Sequence, residues 1–159
     1  MITKNFMACM IANMDTSANV TAKKVDGEYI TQGYGNVRNF LGFGSGNNLD
    51  YSAGQTMTMR LLLGSGSTDA SIDDYKLEDL ITDYIVLVHD KTSIGTYDKS
   101  CTVFSRTIEA DSDITIKECG IVSVDNSGNA LLLAREVLPE PVVLKPGEKH
   151  TFTMTIGLE

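Results

Sequence analysis

The chain has no tryptophan, two histidines, three cysteines, and 13 basic residues against 21 acidic ones. Each shortage narrows the function classes. A duplex-DNA or anionic-membrane surface needs a basic patch, and a formal charge of -8 argues against one. No apolar run approaches the ~20 residues of a membrane-spanning helix. The start, "MITKNFMACMIANM", has one lysine and a short apolar stretch without a cleavage site, so no signal peptide is expected. Cys9, Cys101 and Cys119 are odd in number, widely spaced and without a CxxC pair. That fits buried free thiols in a reducing compartment and gives no zinc-ligand spacing. His89 and His150 lie far apart, with no cysteine or HxH nearby. A Ser-His-Asp set assembles in space, but nothing singles either histidine out, and no strand-turn-helix nucleophile elbow is present. The expectation is a non-enzymatic protein without catalytic residues, metal or cofactor. An exposed aromatic platform for sugars would have to use Tyr29, Tyr34, Tyr51, Tyr75, Tyr84 or Tyr97.

What is present is a two-residue rhythm. In "QTMTMRLLL", Met57, Met59, Leu61 and Leu63 share one phase. In "HTFTMTI", Phe152, Met154 and Ile156 alternate with threonines, as on a half-buried strand. "ITDYIVLVHD", "DITIKECGIVSV" and "NALLLAREVLP" are further strand candidates. The last two flank "DNSGN", a turn sequence tolerant of left-handed backbone. "KPGE" at Lys145–Glu148 and Asp26-Gly27 mark two more turns. Short strands between such turns predict an all-β chain, an antiparallel β-sandwich of jelly-roll or immunoglobulin-like type with at most one or two short helices. The 159 residues, 42% of them hydrophobic, suffice for a single domain spanning 1–159. Residues 1 to about 55 form a glycine-rich N-terminal region expected to order on partners. "SIDDYKLEDLI", capped by Ser71, reads equally as one short helix or a loop.

The glycines of "GFGSG" (Gly42 to Gly46) and "GSG" (Gly64 to Gly66) invite a phosphate-loop reading. A dinucleotide fingerprint needs a following helix, and a P-loop needs lysine with serine or threonine; neither follows. Tight or flexible surface connections are the better reading. Asp69, Asp73, Asp74, Glu78, Asp79 and Asp83 crowd one stretch with only Lys76 to offset them. They lack EF-hand spacing, so a solvated acidic face is expected, relieved by a basic patch on a partner chain.

Three charges fall in the phase of apolar neighbours. Arg106 alternates with Phe104 and Ile108, Glu118 with Ile114 and Ile116, and Arg135 with Leu131, Leu133 and Val137. A charge in that phase is either buried and paired or at the rim of the face. Arg106, Glu118 and Arg135 are therefore expected to form one structural network, guanidinium forks on a carboxylate across neighbouring strands. Glu118 as a catalytic acid is the rival reading. Adjacent arginines would keep it ionised instead.

"LLLGSGSTDASIDDYKLEDLI" and the later run "FSRTIEADSDITIKECGIVSVDNSGNALLLAREVLPEPVVLKPGEKHTFTMTIGL" resemble small virion proteins of tailed bacteriophages. The shared order is a strand into glycine-serine-threonine, an acidic "D-Y-x-L" loop, "ITIKE-x-G-I", "LLLAR-x-VL", a proline-bearing link and "L-x-PGE" before an alternating last strand. It covers Leu61 to Leu158, and Cys119 stands where an aliphatic residue is usual. The resemblance implies a viral structural protein of tail, neck or capsid surface, made in the host cytoplasm and located in the virion. It would bind itself and other virion proteins, with no direct contact to nucleic acid or membrane. Glu118, Gly120 and Arg135 match the core of the pattern; Gly64, Gly66, Asp74, Tyr75 and Leu77 match its loop. Those loop residues, with Gly44 and Gly46, are the candidate interface. The alternative is a carbohydrate-binding β-sandwich module, the only reading under which carbohydrate is a partner.

Overall fold

A computed structural model describes residues 1–15, 19–31, 58–81, 85–86, 88–89, 101–124 and 128–157. Among the described residues, one helix, α1 (Lys4–Met14), precedes nine strands. These are β1 (Thr21–Lys23), β2 (Tyr29–Thr31), β3 (Thr58–Gly64), β4 (Ile85–Val86), β5 (Val88–His89), β6 (Cys101–Glu109), β7 (Ile114–Val124), β8 (Ala130–Leu144) and β9 (Lys149–Gly157). The described chain is thus mostly β, and every pairing is antiparallel. The sheets run β4-β3-β7-β8, β5-β6-β9 and β1-β2. Turn chemistry behaves as the residues suggest. Gly27 and Gly147 take φ of +93° and +84°, a region that side chains with a Cβ avoid.

The four-stranded sheet is covered on both faces. Directly opposed residues share a face. Leu61 opposes Ile121 and Leu63 opposes Cys119. All four join a core with Ile116, Leu144 and, from the other sheet, Phe152. The opposite face carries Leu62, Val122 and Leu132, which pack with Leu77 from the loop after β3. Burial on both sides explains the unbroken "LLL" runs of β3 and β8, where alternation would serve only a one-sided strand. Two register shifts interrupt the β7–β8 ladder, at Ile116/Glu118 and at Ile121/Val122. Each moves the following residues to the other face.

α1 departs from the expectation of a partner-ordered N-terminal region. Residues 1–15 and 19–31 are ordered against the chain itself, while 32–57 lie outside the described residues. Ala8, Cys9 and Ala12 pack on Ala22, Leu131 and Leu133. Thr3 precedes the helix without capping it; its hydroxyl donates to the carbonyl of Leu132 at 2.7 Å instead. Asn5 brackets β1, donating to the Lys23 carbonyl at 2.8 Å and accepting from the Lys23 N–H at 2.9 Å. Burial pushes the Cys9 thiol up to about 12. "SIDDYKLEDLI" forms a series of turns, not a helix.

Candidate functional site

The densest polar cluster lies where the loop at residues 65–80 meets β7 and β8. The loop closes on itself: the Ser65 N–H donates to the Asp79 carbonyl at 2.8 Å, the Ile81 N–H donates to the Leu63 carbonyl at 2.9 Å, and Gly64 bridges Leu80. Beneath it, Gly64 opposes Glu118 and Gly120 opposes Arg135. The glycines of the loop leave room for Glu118, and Gly120 leaves room for the leucines that pack beside the pair. A Cβ added at Gly64 or at Gly66 would meet Glu118 Oε1 at 2.5 Å. One added at Gly120 would meet Leu132 Cδ1 at 2.9 Å and Leu77 Cδ2 at 3.0 Å.

Glu118 is fully buried. Its Oε1 accepts from the N–H groups of Gly66 (3.2 Å) and Asp79 (2.9 Å). Its Oε2 accepts from the Glu78 N–H (3.2 Å) and from Arg135 Nε (2.7 Å). Arg135, 3% exposed, also donates Nη1 to Asp74 Oδ2 at 2.8 Å and Nη2 to the Thr68 carbonyl at 2.9 Å. Its Nη2 stands 3.8 Å from Glu78 Oε2. Desolvation would weaken the guanidinium's hold on its proton. Hydrogen bonds to Asp74 and Glu118, and their charges, outweigh it, so the Arg135 pKa lies above its ordinary value. Glu78 accepts from the Thr68 N–H and hydroxyl and from the Ser67 N–H, which hold its carboxyl below the usual carboxylate range.

One arginine therefore faces three carboxylates, and backbone N–H groups of the loop serve the remaining lone pairs. Such an arrangement works as a clamp. It ties a loop of about 16 residues to the sheet through the buried Glu118–Arg135 pair, with Asp74 and Glu78 at its wetter rim. A general acid or base needs a movable proton and access for a substrate; Glu118 is ringed by four donors and has no exposure. Among the described residues, no group of three or more His, Cys, Asp or Glu is placed to hold a metal ion.

The structure brings together two of the three charges expected to form a network. Arg106 is not the third. It lies on β6, in the other sheet, and is exposed. It opposes the buried Phe152, so it shares that residue's face, but at a place no neighbouring layer covers. Alternation reveals the face of a residue and says nothing about what lies over it. Asp74 fills the place expected for Arg106, with the opposite charge.

The residues of the candidate interface loop are engaged within the chain. Gly64, Gly66 and Leu77 are buried, Asp74 is ion-paired with Arg135, and Tyr75 lies half-buried beneath Lys23 Nζ, 3.6 Å from its ring centroid. These five residues are engaged within the chain and turn inward. Gly44 and Gly46 lie outside the described residues. The acidic face is correspondingly smaller than expected. Asp74 and Glu78 approach Arg135, Asp79 accepts from the Ser65 hydroxyl, and Asp73 pairs with Lys4. Two cations of the same chain, Arg135 and Lys4, thus relieve part of the acidic crowding.

His89 and His150 sit on β5 and β9, opposite Phe104 and Ile108 of β6. Four β6 positions separate those points, so the histidines are not neighbours across the strand. His150 stacks edge-on with Phe152, ring centroids 4.7 Å apart. Of the tyrosines, Tyr29 is exposed and Tyr75 is covered by Lys23; Tyr34, Tyr51, Tyr84 and Tyr97 fall outside the described residues. Set against protein-family models, curated proteins and solved structures, the chain gives no match.

What sequence reasoning missed is the outer face of α1. Met7, Ile11 and Met14 are 49%, 45% and 82% exposed. Their i, i+4, i+7 spacing puts them on one stripe. The helix turns Ala8, Cys9, Ala12 and part of Phe6 inward and Met7, Ile11 and Met14 outward. The segment "KNFMACMIANM" is apolar nearly all round and carries no acid in its first turn and no base in its last, so the usual signals for a helix and its buried face are absent.

Proposed function

We propose that this chain is a non-enzymatic structural component of a tailed-phage virion, built as an antiparallel β-sandwich of jelly-roll or immunoglobulin-like type. It acts through contacts with itself and other virion proteins in the tail, neck or capsid surface. The observation that carries the reading is the exposed Met7–Ile11–Met14 stripe on a helix whose inward face is already filled. Large apolar side chains gathered on one exposed face mark a protein–protein contact more than a solvated surface. Methionine adapts well to a partner's contour. The Glu118–Arg135 clamp supports the same reading, because it makes a charged loop part of a rigid body. The sheet order and the core shared by Phe152 with Leu61 and Leu63 support the two-sheet form. The sequence resemblance from Leu61 to Leu158 supplies the virion assignment.

Cross-linking mass spectrometry on purified particles tests it. Repeated links from Lys4 or Lys76 to a capsid, neck or tail protein are the expected result. Robust expression during infection with no chain in well-purified particles would reject the virion assignment. Weight would then return to the carbohydrate-binding module, for which the exposed Tyr29 would be the first residue to probe.

A further inference from the structure

The edges of the two larger sheets are treated very differently. An unpaired edge is a template for another strand, and chains ordinarily blunt it with shortness, proline, charge or a cover. Among the described residues, β4 and β5 are edges of only two residues each. β8 carries Pro139 and Pro141, and its stretch around Arg135 is covered by the chain's own start: the Thr3 N–H donates to the Leu133 carbonyl at 3.0 Å and the Arg135 N–H to the Met1 carbonyl at 2.9 Å. Among the described residues, β9 is neither short nor covered on its outer edge, and its one lysine stands at its first position. It runs nine residues without proline, pairs with β6 in unbroken register from Lys149 to Gly157, and ends the sheet order β5-β6-β9.

From this edge we infer that β9 pairs with β9 of a second copy, antiparallel and about a two-fold axis, joining two three-stranded sheets into one of six. The inference rests on the assembly reading above and names its partner. The strand is self-complementary in that register. With Thr153 on the axis, Lys149 lies opposite Gly157 of the second copy, about eight residues and roughly 27 Å from the other Lys149. No like charges are then opposed. Lys149 is in any case paired with Glu109 of its own chain at 3.1 Å. The residues from Thr151 to Gly157 carry no ionisable side chain, an uncharged strip in a chain of net charge -8. Thr151 and Thr153 are exposed, and the cross-strand contact such residues favour already exists within the chain, Thr107 Oγ1 to Thr151 Oγ1 at 2.7 Å. A groove between β8 and β9, lined by Leu138, Glu140, Val142 and Phe152 together with Thr151 and Thr153, adjoins the strand and offers mixed apolar and polar contact to an added neighbour.

The test places charge on the axis of the full-length chain. Thr153 is exposed, so Thr153→Lys and Thr153→Glu should each fold with an unchanged circular dichroism spectrum. Sedimentation equilibrium should show a dimer for the parent chain. Each variant alone should dissociate at least about tenfold more readily, because like charges then meet on the two-fold. An equal mixture of the two variants should regain the dimer, since lysine now faces glutamate. A parent dimer that both substitutions leave intact would overturn the β9 contact while leaving assembly through α1 standing. A monomeric parent at millimolar concentration would overturn it too. Slow β9 amide exchange in that monomer would show that another part of the same chain covers the edge. Assembly itself is judged separately, by the particle cross-links.

Discussion

Glu118 on β7 and Arg106 on β6 give the same signal in the sequence, a charge in step with apolar neighbours. The first is fully buried and holds four donors, while the second stands in solvent on the other sheet. The difference lies in the layers. The sheet of β3, β7 and β8 is covered on both faces, so a charge there must be paired or excluded. The sheet of β5, β6 and β9 runs past its cover at Arg106. A buried charge in this fold therefore marks where a loop has been tied down. An exposed one in the same phase marks where a layer ends.

The largest effect expected to separate the two sheets comes from Glu118→Gln. The amide would present N–H donors to backbone N–H groups and to Arg135, and would leave Arg135 short of a buried counter-charge. Chemical unfolding should show a loss of about 3–5 kcal/mol. A loss below about 1 kcal/mol, the level of an exposed pair, would break the comparison.

Gly66→Ala comes next. Its Cβ would meet Glu118 Oε1 and Glu78 Cβ at 2.5 Å, so the clamp or the loop must shift. Overpacking of this kind costs roughly 1–3 kcal/mol. Gly147→Ala meets nothing within 4 Å and is strained only by its φ of +84°. Equal losses at the two sites would indicate that backbone strain, not the carboxylate, sets the cost.

Acid should loosen the loop before the rest. Glu78 has a folded-state pKa lowered chiefly by the Thr68 N–H and hydroxyl. Its contribution is present above the unfolded value, ordinarily about 4.3, and is lost as pH falls through the lower folded value. Hydrogen exchange at Ser67 and Thr68 should accelerate over that acid window. In Glu78→Gln it should be fast already at neutral pH, with little further change. A parent chain whose Ser67 and Thr68 stay protected after NMR of the Glu78 carboxyl shows it protonated would contradict the assignment.

Arg106→Ala should do least, under about 0.5 kcal/mol, as for other solvent-exposed surface positions. A larger loss would place Arg106 inside a contact and extend the buried layer over β6.

Much of the β architecture is legible in particular residues. The threonine alternation of β9, the turn at Lys145–Glu148 and the Asp26-Gly27 hairpin stand where the local chemistry puts them. The clamp is only half legible. Glu118 and Arg135 stand out by phase, yet both reach their shared face through register shifts that an alternation count does not contain. Asp74 and Glu78 are hidden in a run of acids that looks solvated. Nothing local distinguishes them from Asp73, which pairs with Lys4 instead of Arg135. α1 is illegible for a different reason: a helix apolar on both faces has no stripe to announce which side is buried.

By itself, the sequence determined the strands, the turns and the need to satisfy two charges among apolar neighbours. Those properties depend on residues a few positions apart, through pleat, φ preference and desolvation. Tertiary structure alone decided which carboxylates share Arg135, why Gly64, Gly66 and Gly120 must be small, and where the chain's start covers β8. Each depends on segments tens of residues apart meeting at atomic distance: Thr68, Asp74 and Arg135; Gly66 and Glu118; Met1 and β8. Local periodicity carries no record of such meetings, because covering layers and register shifts choose them only when the chain closes.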